Sequence, residues 1–119
     1  MKKNLSLELI KEERKNSRIK KISELVKRAV ADTFQSIDFS NSNEDSFLFS
    51  ISDVSLSKDG KIATIIVSDL NYENKLEESF YLALIESHIN KINKEFSKKI
   101  DLRYTPRLRF KVKSFKDLV

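Results

Sequence analysis

The chain predicts an α+β two-layer sandwich, a three-stranded sheet with helices laid on one face, in the order helix, strand, strand, kinked helix, strand. Three observations carry that expectation. Apolar residues recur at helical spacing in two long segments, two β-rich runs flank an Asp-Gly pair, and the stretch after Pro106 alternates strictly between apolar and basic residues. A sheet apolar on one side and helices with one apolar stripe each are complementary surfaces, and layering them buries both.

Residues 1–16 (MKKNLSLELIKEERKN) hold Leu5, Leu7, Leu9 and Ile10, too few to define a face. They read as a mobile arm or a frayed helical extension ahead of a domain at 17–115, with 116–119 a short tail. From Ser17, a plausible cap, Ile19, Ile22, Leu25, Val26, Ala29, Val30 and Phe34 follow helical spacing to about Ile37. The outer face of this helix carries Arg14, Arg18, Lys21, Lys27 and Arg28, of which Arg18 and Lys21 are counted with the basic footprint below.

Asp38 to Ser46 is a polar connection, and then Phe47–Val54 and Lys61–Ser68 form two strands around Ser57-Lys58-Asp59-Gly60. The Asp-Gly pair supplies the positive φ of a tight hairpin. Asn74, with Glu77 three residues on, marks the next helix start. Its stripe runs Leu76, Phe80, Ala83 and Leu84, then resumes one position out of step at Ile85, Ile89, Ile92 and Phe96. One residue is about 100° of helical rotation, so a kink is expected across His88, Ile89 and Asn90. Pro106 then ends the helical region, because its ring fixes φ and biases Thr105 towards extended backbone. Leu108, Phe110 and Val112 point one way from the last strand, and Arg107, Arg109, Lys111 and Lys113 the other.

At 119 residues the chain is one domain with one modest core. There is no cysteine, one histidine and one glycine. Disulfides, thiolate metal sites, imidazole pairs and glycine-rich phosphate cradles are therefore excluded, and no catalytic residue, metal or cofactor is assigned. The longest apolar run, Ile65-Ile66-Val67, is far too short for a bilayer, so the cytoplasm is the expected location.

The net charge of +5 is unevenly spread. Residues 1–36 hold ten Lys/Arg against five Asp/Glu, residues 37–90 three against ten, and residues 91–119 ten against three. Two basic ends and an acidic middle suit a protein steered onto a polyanion by one side. The candidate contacts are Arg18, Lys21, Lys91, Lys94, Lys98, Lys99, Arg103, Arg107, Arg109 and Lys111, with Arg103 and Arg107 foremost because a guanidinium holds a phosphate bidentately. Tyr104 beside them is either packing or a stacking platform for a base. These residues alone point to RNA or DNA without choosing between them, through positive groups converging on one face away from an acidic hairpin.

Three segments carry a family resemblance. Val54-Ser55-Leu56-Ser57-Lys58-Asp59 with Ala63-Thr64-Ile65-Ile66-Val67-Ser68 is similar to a V-x-L-S-x-D…A-x-V-x-V-S pattern. Leu102-Arg103-Tyr104-Thr105-Pro106-Arg107-Leu108-Arg109-Phe110 resembles L-R-x-x-P-x-L-x-F, and Arg18-Ile19 matches a looser feature. These patterns belong to the ribosome-binding factor A family, and the likeness spans roughly residues 17–115. It implies a type II KH-like domain, monomeric and non-catalytic, that binds immature small ribosomal subunits and 16S ribosomal RNA and assists late maturation, with no membrane or small-molecule partner. The family kinks its helix with Ala-x-Gly, where this chain has His88-Ile89-Asn90. Arg107 stands where the family commonly has an acid. Two alternatives stay open: a KH-like module with a different RNA target, and a protein-interaction adaptor using the basic strand.

Overall fold

The computed structural model describes residues 2–40, 46–71 and 76–113, with side chains described from residue 14 onward. Asn74, Phe115 and the 116–119 tail lie outside the described residues. A single helix, α1 (Lys2–Ser36), opens the chain. It begins at Lys2, so Ser17 sits inside the helix and does not cap it. Val26, Ala29, Val30, Thr33, Phe34 and Ile37 are buried at alternating steps of three and one, one continuous stripe along and just past α1. Leu25, expected in that stripe, is 48% exposed, and Thr33 takes a core place instead. Its hydroxyl donates to the Ala29 carbonyl at 2.8 Å, which satisfies the one polar group that this position buries.

Two short strands, β1 (Phe39–Ser40) and β2 (Ser46–Phe47), pair antiparallel where a polar connection was expected. They place Phe39 and Phe47, both buried, opposite each other. The main sheet has the order β3 (Phe49–Leu56), β4 (Ile62–Asp69), β5 (Arg107–Val112), with β3 and β4 antiparallel and β4 and β5 parallel. Gly60, at φ 73°, makes the hairpin turn, and its N–H donates to the Ser57 carbonyl at 2.9 Å. A register shift around Ser52 forms a bulge in β3, and the hydroxyls of Ser50 and Ser52 both reach Ser68, at 2.8 and 3.1 Å.

Register decides which residues share a face. Val54, Ile65 and Phe110 are neighbours across the three strands, as are Leu56, Ala63 and Leu108. This is the covered face. Ser55, Thr64 and Arg109 line up on the other, as do Asp53, Ile66 and Lys111. α1 lies over β3 and β4, and α2 (Glu78–Ser87) lies against β5, so the helices form one layer and the second sheet face is open.

α3 (Ile89–Lys99) follows α2 after a break at His88, whose φ of −109° and ψ of 10° leave the helical range. Ile89 and Asn90 are already helical. The break frees the Leu84 carbonyl, and two neighbours take it: Ser87 Oγ donates to it at 2.6 Å, and His88 Nδ1–H donates to it at 3.0 Å. The His88 ring packs edge-on against Phe39, centroids 5.0 Å apart. Tyr81, Leu84, Ile85, Ile92 and Phe96 are buried, with His88 half-buried between them. The stripe is thus nearly in phase through the break. The expected phase jump came from counting Leu76 and Phe80 as core, whereas Phe80 is 36% exposed and packs at the rim on Phe47. Glu77 occupies the cap position of α2 without a side-chain bond.

Candidate nucleic-acid interface

The parallel register pairs Ile62 with Arg107, and the Arg107 N–H donates to the Lys61 carbonyl at 2.8 Å. The segment leading into β5 is therefore held beside the turn leading into β4. α1 passes the same end, bringing Ile19 and Ile22 to the side of Leu56. These three segments enclose a groove of about 400 Å³. Ile19, Ile22, Leu56, Leu102 and Pro106 form its apolar lining, and Lys15, Arg18, Lys58, Lys61 and Arg103 its cations. Tyr104 lies at the mouth, 74% exposed, with the Arg103 guanidinium 5.6 Å from its ring centroid.

Among the described residues one acid, Asp59, lines this groove, and its own turn occupies its Oδ1. Ser57 Oγ donates to Asp59 Oδ1 at 2.6 Å and the Lys61 N–H at 3.0 Å. Those two bonds, with Lys61 nearby, hold its carboxyl below the usual aspartate range. The two bonds tie the carboxylate to its own turn.

The cations singled out from sequence fall into three groups and do not share one continuous face. Arg18 and Arg103 meet at the groove, with Lys21 exposed one turn further along α1. Arg107, Arg109 and Lys111 stand in a row on the open sheet face, opposite the helices. Lys91, Lys94, Lys98 and Lys99 are exposed on α3 in the helical layer. The reason is geometric: a strand that buries Leu108, Phe110 and Val112 under the helices must turn its alternate residues away from them. Among the described residues the one ion pair joins Lys98 to Glu95 at 3.7 Å, so no carboxylate there ties up the arginines. Lys15, Lys58 and Lys61 were missed by the sequence reading. Lys58 and Lys61 belong to the acidic middle of the chain, and only the hairpin carries them to a basic end.

The family model of ribosome-binding factor A matches residues 18–117. The chain belongs to the ribosome-binding factor A family. A family member from Acetivibrio thermocellus is 34% identical over 98 residues, covering 80% of this chain and 74% of its own length. Another, from Methylocella silvestris, is 29% identical over 96 residues, covering 81% of this chain and 60% of its own length, so this chain spans less than two thirds of that relative. The crystal structure of ribosome-binding factor A from Thermus thermophilus is similar at a TM-score of 0.63 and 21% identity, over 82% of this chain and 96% of that one. Its fold and that of this chain are the same KH-like α+β sandwich, the type II arrangement that the resemblance implied. A Thermus thermophilus ribosome-binding factor A homology model, fitted into the cryo-EM map of a 30S complex, is similar at a TM-score of 0.56 and 25% identity, over 75% and 88% of the two chains. Among the described residues no helix is long and apolar enough to cross a membrane.

Proposed function

We propose that this chain is a non-catalytic assembly factor that binds immature small ribosomal subunits through their 16S ribosomal RNA and assists late maturation, acting as a monomer in the cytoplasm. The observation that carries this reading is the groove. Among the described residues, five cations from three segments distant in sequence surround one recess, and the one acid with them is already hydrogen-bonded. Family membership supports it, as does the likeness to the relative fitted into a 30S complex. Arg18 and Arg103 are the principal RNA contacts. Lys21 and the α3 residues Lys91, Lys94, Lys98 and Lys99 add phosphate contacts on the helical side, and Arg107, Arg109 and Lys111 do so on the open sheet face. The break at His88 sets the direction of α3 and hence of its lysines. The fold supplies no chemistry; it stabilises one conformation of the RNA and leaves when maturation removes the site.

Sedimentation with immature small subunits tests this. Co-migration that is lost on combining Arg18→Ala with Arg103→Ala, and that weakens as salt rises, is the expected outcome. A second reading, a protein adaptor, draws on the straight row of Arg107, Arg109 and Lys111 on an open face. Binding that persists after ribonuclease treatment favours it and overturns the first, since a cationic row weakens with salt on an acidic protein as it does on RNA.

A further inference from the structure

Cations alone suit any phosphate, paired or unpaired, yet the groove between α1, the β3–β4 turn and the loop before β5 also offers a large apolar lining. A duplex keeps its base faces in the stack and presents base edges, sugars and phosphates, all polar, so Ile22, Leu56 and Leu102 would gain little from it. A base out of the stack has two apolar faces. The volume of about 400 Å³ lies within the range of roughly 300–1,000 Å³ typical of small-molecule sites. Tyr104 stands at the mouth, largely in solvent, which core packing does not explain, and the Arg103 guanidinium lies over one face of its ring, within reach of a phosphate flanking a base stacked on the other.

The geometry points to this groove as the seat of one unpaired RNA nucleotide, its base against Tyr104 and the apolar lining and its flanking phosphates on Arg18, Lys58, Lys61 and Arg103. The inference rests on the RNA-binding reading above and narrows it: the chain selects single-stranded RNA at this point and follows the backbone by charge elsewhere. Stacking and charge differ in their response to salt, because only the phosphate contacts release counterions. Tyr104→Ala therefore lowers affinity without altering the salt slope, and Arg103→Ala lowers both.

The experiment is equilibrium binding of the full chain to a short labelled RNA oligonucleotide, alone and annealed to its complement, across a series of salt concentrations. The unpaired strand is expected to bind more tightly. Tyr104→Ala should weaken that strand roughly 5- to 150-fold, the range that loss of one base–aromatic stack gives, leave the duplex unchanged, and keep the wild-type slope, while Tyr104→Phe retains affinity. Equal binding of both forms, or Tyr104→Ala binding the unpaired strand like wild type, overturns the nucleotide seat. Co-sedimentation with small subunits is measured on the same variants and separates the two ideas. Subunit binding that persists without strand preference removes only the seat, whereas strand preference without subunit binding removes the ribosomal reading and leaves the seat standing.

Discussion

The two ends of the sheet are built on opposite principles. At one end, aromatic rings meet one another: Phe34 and Phe39 at 4.9 Å, Phe39 and Phe49 at 5.2 Å, Phe49 and Tyr81 at 5.8 Å, Phe34 and Phe110 at 5.8 Å. At the other, arginines, lysines and a tyrosine meet mostly solvent. Packed rings contribute through burial and edge-to-face contact, and a cationic rim contributes almost nothing to folding. Stability and binding are thereby separated along the molecule, so the groove can be altered without unfolding the chain that presents it.

The sharpest way to break the comparison is Phe39→Ala. Phe39 is almost fully buried and touches Phe34, Phe49 and His88. Its truncation is expected to cost about 3–5 kcal/mol, read by denaturant unfolding, while the residual folded fraction keeps its affinity for RNA. The reciprocal change, Arg18→Ala with Arg103→Ala, should leave the unfolding midpoint within error. It should lower RNA affinity at least tenfold, since each charge-assisted hydrogen bond to phosphate is worth about 1.5–3 kcal/mol. A large loss of stability in this pair, or none of affinity, would merge the two regions.

Smaller effects sharpen the boundary. Tyr81, buried at the aromatic end, donates its hydroxyl to Asp69 Oδ2 at 2.7 Å. Tyr81→Phe should cost about 1.5–3 kcal/mol, the range for a hydrogen bond to a charged group. Burial, and after it the bond to Asp69 and that carboxylate's charge, push the Tyr81 phenol well above its usual value. The folded state thus holds this proton more firmly than the unfolded chain does. The stabilisation it brings is fully present below the unfolded value of about 10 and declines as pH rises towards the folded one. An alkaline unfolding series should show that decline less steeply in Tyr81→Phe. Gly60→Ala is the mildest. A side chain there meets no heavy atom within 4 Å, but φ of 73° disfavours it by about 1 kcal/mol. Because Gly60 lines the groove, a salt-dependent loss of RNA affinity in this variant would show that turn geometry places Lys58 and Lys61.

Much of this architecture was legible from residue pattern. The hairpin followed from Asp59-Gly60, the last strand from alternation after Pro106, and α1 from a stripe that continues through Val26, Ala29, Val30 and Phe34. Each of these is a local rule, a turn needing positive φ or a period of two or 3.6, and local rules are written into adjacent residues. The one-residue offset in the second helical segment marked the place of the break at His88, but its size was overstated for a related reason. Periodicity counts Leu76 and Phe80 as core, but apolar residues at a domain rim obey the period without being covered.

What adjacent residues do not hold is which strand lies beside which, and on which side of it the helices fall. The parallel pairing of Ile62 with Arg107 brings Arg103 to Lys61, α1 closes the groove with Arg18, and the covered face turns Arg107, Arg109 and Lys111 away from the α3 lysines. Sequence by itself determined the elements, their order and the surplus of positive charge. Only the tertiary structure decided how that charge is divided and where an apolar recess lies beneath part of it, because long-range pairing and layer choice depend on surfaces that exist only once the elements have packed.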